Sequence, residues 1–184
     1  MDFGADFRLL EAEVPARLCL RAVAEIQERA AAGDFDNVDN RARHRLYPEL
    51  AEADVVYLRA PVLQGQPGVR GDILDCENTP AVAKFPWCWV ALRTALPDAV
   101  FGRVMVSRVD GPGRVATHVD AGAMAVQHRR HHVCLTVEDA EFTVGTTTVR
   151  MEPGSVWEIN NRRPHSVTNH KGLRLHLIAD VVPR

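Results

Sequence analysis

His118 and Asp120 stand two residues apart in a short run of alternating residues. On an extended strand, side chains at i and i+2 leave the same face, about one metal site apart. The spacing suits a pair of metal ligands, but the chain has 8 His and 13 Asp, and chance alone gives about 0.6 such pairs. A third ligand is available in His165, which follows the turn-forming Asn160-Asn161-Arg162-Arg163-Pro164 and opens another extended run. His-x-Asp with a distant His is the two-histidine, one-carboxylate arrangement that leaves three positions of a non-haem iron(II) open. Those positions can accept a bidentate 2-oxo acid and dioxygen. In isolation, His165 reads as a hydrogen-bonded histidine at a strand end.

A dicarboxylate cosubstrate needs a fixed cation for its far end, and arginine suits because its planar fork meets two oxygens at once. In Leu173 to Asp180 (LRLHLIAD) alternation puts Arg174, His176, Ile178 and Asp180 on one face, with Leu173, Leu175, Leu177 and Ala179 on the other. An arginine buried on an otherwise apolar strand is costly unless an anion joins it. A solvated outer face is the alternative reading of this strand. The segment His128 to Thr136 (HRRHHVCLT) repeats the pattern, with Arg130, His132, Cys134 and Thr136 on one face and Val133 and Leu135 on the other. A zinc-binding histidine cluster here ranks lower, since His131 and His132 point to opposite faces of a strand.

These runs belong to a series that begins after Pro97. Short, β-branched segments cover Phe101 to Val109, Arg114 to Val119, Arg129 to Val137, Glu141 to Gly145, Thr147 to Met151, Ser155 to Ile159, His165 to Thr168 and Leu173 to Val181. Roughly eight strands in about 80 residues predict a sandwich or barrel. Upstream, Pro15 to Ala32 spaces Leu18, Ala22 and Ile26 four apart and predicts an amphipathic helix stopped by Gly33. Pro86 to Leu96 predicts a second helix, with Trp87 and Trp89 in the core; Val55 to Leu58 reads as a short extended run, and Gln64 to Gly71 as a surface loop. The expected fold class is mainly β within α+β, a double-stranded β-helix (jelly roll, cupin-like) buttressed by N-terminal helices.

The chain has 184 residues, 46% hydrophobic and 25% charged, which suits a single domain over 1–184, with 1–97 as helical support and substrate-side elements and 98–184 as the metal-bearing core. A net charge of −2 gives no field to hold nucleic acid or anionic lipid. The acidic N-terminal stretch has no uninterrupted apolar run, so neither a signal peptide nor a membrane span is expected, and the expected location is cytoplasmic. Cys19, Cys76, Cys88 and Cys134 lie far apart, without a Cys-x-x-Cys pair, and are expected to be reduced.

From about Val104 to Val181 the chain resembles the aspartyl/asparaginyl β-hydroxylase-like iron and 2-oxoglutarate oxygenases. The matching residues are Ser107, His118-Val-Asp120, Arg130-His131-His132, Phe142-Thr-Val-Gly145, Gly154-Ser-Val-Trp157-Glu-Ile-Asn-Asn161, His165, Asn169 and Arg174-Leu-His-Leu-Ile-Ala-Asp180. The resemblance implies His118 and His165 as iron ligands, Arg174 and Ser107 at the distal carboxylate of 2-oxoglutarate, and Arg130 with His132 near its metal-bound end. Ser107 comes from the resemblance alone. The animal aspartyl hydroxylases of this family lack a carboxylate ligand, whereas Asp120 here completes a triad, as in small bacterial members such as proline cis-4-hydroxylases acting on free imino acids.

The resemblance implies iron(II), 2-oxoglutarate and O2 as cofactor and cosubstrates, and as substrate a free amino acid or an amino-acid residue in a small peptide. A cupin-like binding or sensing module without turnover is the alternative, and it would need no dicarboxylate clamp. An iron dioxygenase or halogenase on the same scaffold ranks lower; halogenation requires an open position where Asp120 stands. Arg103, Arg129, Trp157 and Asn161 are candidate substrate-recognition groups that also have ordinary structural readings. A homodimer is the expectation for an enzyme of this size.

Overall fold

A computed structural model describes residues 4–36, 40, 45–63, 66–67 and 75–183. Strand β1 (Phe7–Glu13) leads into helix α1 (Ala16–Ala31), which starts after Pro15 and ends before Gly33 at φ +81°. Glycine takes that left-handed turn without a Cβ penalty. Strand β2 (Asp54–Leu63) is longer than the expected run and pairs with the short β3 (Gln66–Pro67) and β4 (Cys76–Asn78). The loop expected over Gln64 to Gly71 thus includes two paired residues; the rest of it lies outside the described residues. Helix α2 (Pro86–Ala95) follows.

After α2 the eight expected strands appear in order: β5 (Phe101–Asp110), β6 (Gly113–His118), β7 (Arg129–Thr136), β8 (Asp139–Val144), β9 (Thr147–Val149), β10 (Ser155–Ile159), β11 (His165–Lys171) and β12 (Leu173–Val181). A one-turn helix, α3 (Ala123–Gln127), interrupts them between β6 and β7. The large sheet runs β1-β10-β7-β12-β5-β2-β3, with β4 also on β2, and the small sheet runs β6-β11-β8-β9. All described pairings are antiparallel, and the chain crosses repeatedly between sheets, which is jelly-roll architecture. The first 97 residues supply more than helices: β1 extends one edge of the large sheet, while β2, β3 and β4 extend the other.

The sheet alternation separates two interiors. Val104, Val106, Val133, Leu135, Leu175, Leu177 and Ala179 pack outward against Ile26 of α1 and the apolar stripe Cys88, Ala91, Leu92 and Ala95 of α2. That stripe fixes which face of α2 is buried, so Trp87 departs from expectation: it is exposed, with Arg21 4.2 Å above its ring. Trp89 is half-buried against Phe101. All four cysteines are free thiols.

Glu25, buried on α1, accepts hydrogen bonds from the backbone N–H groups of Trp87 (3.1 Å) and Cys88 (3.0 Å). These donors lie in the first turn of α2, where no intrahelical partner exists and negative charge is favoured. Glu25→Ala is expected to lower unfolding free energy by about 1–3 kcal/mol, with Glu25→Gln recovering part of it. Denaturant midpoints of the three proteins check this.

Candidate active site

His118 ends β6 and His165 starts β11, and the two residues face each other across the small sheet with ring centroids 4.2 Å apart. Asp120 lies two residues beyond the end of β6. Strand parity therefore does not aim its side chain; hydrogen bonds do. Its backbone N–H donates to Asn161 O at 3.0 Å. One ligand atom from each of His118, Asp120 and His165 lies within 4.8 Å of the others.

The histidine tautomers follow from the backbone. His118 Nδ1 lies 2.8 Å from Ala116 O and His165 Nδ1 lies 3.0 Å from Arg163 O. A carbonyl oxygen can only accept, so both rings carry their proton on Nδ1 and leave the Nε2 lone pair for a metal. Burial, opposed by Asp120 and reinforced by His118, lowers the His165 pKa to about 4, so the imidazole is neutral at neutral pH. Two imidazole nitrogens with one carboxylate are a donor set suited to divalent iron.

Asp120 divides its two oxygens. Oδ2 accepts from Arg130 Nη1 and from Asn161 Nδ2, the latter at 2.8 Å, while Oδ1 faces His118 Nε2 at 3.9 Å. Burial would raise its pKa, but Arg130, His165 and Arg103, with the Asn161 bond, hold it well below the usual carboxylate range. Arg130 is committed on a second side: its Nε and Nη2 donate to Asp180 Oδ1 and Oδ2 at 2.8 and 3.1 Å. Arg103 Nε also donates to Asp180 Oδ2, at 2.9 Å.

Deeper along the inner face of the large sheet, Arg174, His176, Ile178 and Asp180 are all buried, which rules out a solvated outer face. Ser107, also buried, sits opposite His176 on β5. Arg174 Nη2 lies 3.1 Å from His176 Nδ1, and His132 Nδ1 lies 3.3 Å from the same nitrogen. Because arginine only donates, His176 Nδ1 is a bare acceptor and His132 Nδ1 carries a proton. Phe142 lies beneath the Arg174 guanidinium, 5.7 Å from ring centroid to Cζ. Among the described residues no carboxylate pairs with Arg174, and burial lowers its pKa to about 10. It is a buried cation whose charge no described residue compensates.

Burial also pushes His132 well below its ordinary pKa, helped by His176 and Arg174, and His176 likewise, helped by Arg174. Each of these histidines, with His165, binds a proton less readily folded than unfolded. As pH falls below about 6.5, the unfolded chain takes up protons that the folded chain resists, so stability declines. For His165 the decline extends down to about 4. Inside its window each such histidine contributes about 1.4 kcal/mol per pH unit. The melting temperature of the metal-free protein is thus expected to fall between about pH 7 and pH 5; a flat profile would contradict neutral burial.

The sequence-derived residues therefore fall into two adjoining groups. His118, Asp120 and His165 come together in a group that could hold a metal ion, with Arg130 beside it, and Ser107, His132 and Arg174 line the deeper interior. Asn161 joins the first group through Asp120 rather than standing free for a substrate. Arg129 does not join: with Arg8 it pairs with the fully buried Glu158, on the face of β7 opposite Arg130. His131 shares that outer face, so it cannot share an ion with His132. Trp157 packs among Phe7 and the inter-sheet core. Asp180 was legible only as an acid on the Arg174 face; its place between two arginines had no sequence signal beyond that parity.

A family model described as aspartyl/asparaginyl beta-hydroxylase matches residues 71–183. No protein of curated function matches the chain by sequence. Among solved structures, a prolyl hydroxylase from Trichoplax adhaerens, in complex with a hypoxia inducible factor oxygen degradation domain peptide fragment, is similar with a TM-score of 0.57 and 11% identity, covering 96% of this chain and 83% of that one. A Pseudomonas putida prolyl-4-hydroxylase is similar with a TM-score of 0.52 and 14% identity, covering 97% and 93%. A viral collagen prolyl hydroxylase from Paramecium Bursaria Chlorella virus-1, in a 2OG complex, gives 0.53 and 10%, covering 98% and 97%. At these identities the likeness is one of fold.

Proposed function

Since the chain belongs to the aspartyl/asparaginyl β-hydroxylase family and is thereby an iron(II)- and 2-oxoglutarate-dependent oxygenase, we propose that it hydroxylates an unactivated C–H bond of a free amino acid, or of an amino-acid residue in a small peptide. His118, Asp120 and His165 are the proposed iron ligands. Arg174 and Ser107 are the proposed partners of the distal carboxylate of 2-oxoglutarate, with Arg130 and His132 towards its metal-bound end. When bound, iron and 2-oxoglutarate supply the oxidising chemistry that places one oxygen atom of O2 on the substrate and the other in succinate, with release of CO2.

The observation that carries the cosubstrate assignment is the uncompensated Arg174 guanidinium, buried in the same interior as the ligand triad. A dicarboxylate reaching from the metal to Arg174 would neutralise it by charge-assisted hydrogen bonds. The protein's own contribution is positional. Backbone carbonyls hold His118 and His165 with Nε2 presented, Arg130 and Asn161 hold Asp120 by one oxygen, and β12 holds Arg174 in a buried position where an ion pair is strong.

Incubation of the iron-loaded chain with a panel of free amino acids and short peptides tests the substrate class. Succinate formation matched by a substrate mass gain of one oxygen atom is expected for at least one member. Tight 2-oxoglutarate binding with no substrate-stimulated succinate across the panel would instead favour a binding module without turnover.

A further inference from the structure

The carboxylate of Asp180 is entirely enclosed, and among the described residues its hydrogen-bond partners are Arg130 and Arg103. It lies between two arginines. Arg130 meets it through a two-bond fork, and Arg103 reaches its Oδ2 through Nε. The same fork leaves Nη1 as the edge of Arg130 that meets Asp120 Oδ2. Asp120 Oδ1 is then the oxygen on the His118 side.

Resting on the iron site proposed above, we propose that Asp180 is a positioning residue that acts through Arg130 to present a single oxygen of Asp120 to the metal. A guanidinium prefers to grip a carboxylate with two parallel N–H bonds. With Asp180 holding its Nε and Nη2 side, the Arg130 guanidinium is fixed in the orientation that presents Nη1 to Oδ2, and Oδ1 stays available for coordination. Without the Asp180 charge, Arg130 is free to turn its fork onto Asp120 and compete with the metal for both oxygens. Asn161 does not compensate, because its amide reaches Oδ2 alone.

Cobalt(II) titration under anaerobic conditions reads both affinity and ligand geometry without turnover. Asp180→Asn is expected to weaken cobalt binding about 10- to 100-fold, the usual cost of losing a partner behind a metal ligand, and to shift the visible ligand-field bands. Arg103→Gln combined with Asp180→Asn removes one of the two cations left facing each other, and gives the same comparison if the single variant does not fold. A purely structural Asp180 would lower the melting temperature while leaving cobalt affinity and spectrum as in the parent chain, which would overturn the inference and leave the iron site standing. Failure of the parent chain to bind one equivalent of cobalt would overturn the iron site itself.

Discussion

Arg174→Met is expected to do two opposite things: abolish useful 2-oxoglutarate binding and stabilise the ligand-free protein. Truncating one partner of a buried, hydrogen-bonded charge pair costs about 2–5 kcal/mol, or roughly 30- to 5000-fold in affinity. The ligand-free chain experiences the reverse. Its guanidinium is buried with no carboxylate partner among the described residues, and replacing such a charge with an apolar side chain of similar length is expected to stabilise by roughly 1–4 kcal/mol. Calorimetric titration with 2-oxoglutarate and a thermal melt of the ligand-free variant read the two effects separately. An arginine that only braced β12 would lose stability on replacement and leave the dicarboxylate affinity intact.

Asp120→Ala is expected to weaken iron(II) binding by more than about 100-fold, beyond the cost of disturbing residues behind a ligand, and to abolish turnover. Two effects add here. One anionic ligand is lost, and Arg130 Nη1 is left facing the metal position with its charge no longer offset on that side. Asp120→Asn keeps an oxygen and the Asn161 neighbourhood, so a smaller loss is expected. Metal titrations of both variants rank the effects; equal affinity for all three proteins would exclude Asp120 from the coordination sphere.

Much of this was legible because alternation is a strong constraint. The period-2 pattern placed Arg174, His176 and Asp180 on one face, and only the side facing the small sheet was left open. Likewise the apolar complement, Leu175, Leu177 and Ala179, had to cover the helices. The pattern named Asp120 but failed to account for its aim, which hydrogen bonds rather than pleat decide. Asp120, beyond the end of β6, is set by Arg130, ten residues on, and by Asn161, far along the chain. It also failed at β1, whose edge position mixes exposed and half-buried residues and so blurs any periodicity. Trp87 misled for a simpler reason: it lies off the helix face that Cys88, Ala91, Leu92 and Ala95 bury.

Anaerobic addition of iron(II) and 2-oxoglutarate to the parent chain and to Arg174→Ala reads the metal site and the Arg174 clamp in one titration. The parent is expected to develop a visible metal-to-ligand charge-transfer band that requires both additions and saturates at one equivalent of each. The variant should need far more 2-oxoglutarate for the same band. No band in the parent chain, or the same saturation curve in both proteins, would contradict a site that joins the His118, Asp120 and His165 triad to Arg174 through one dicarboxylate.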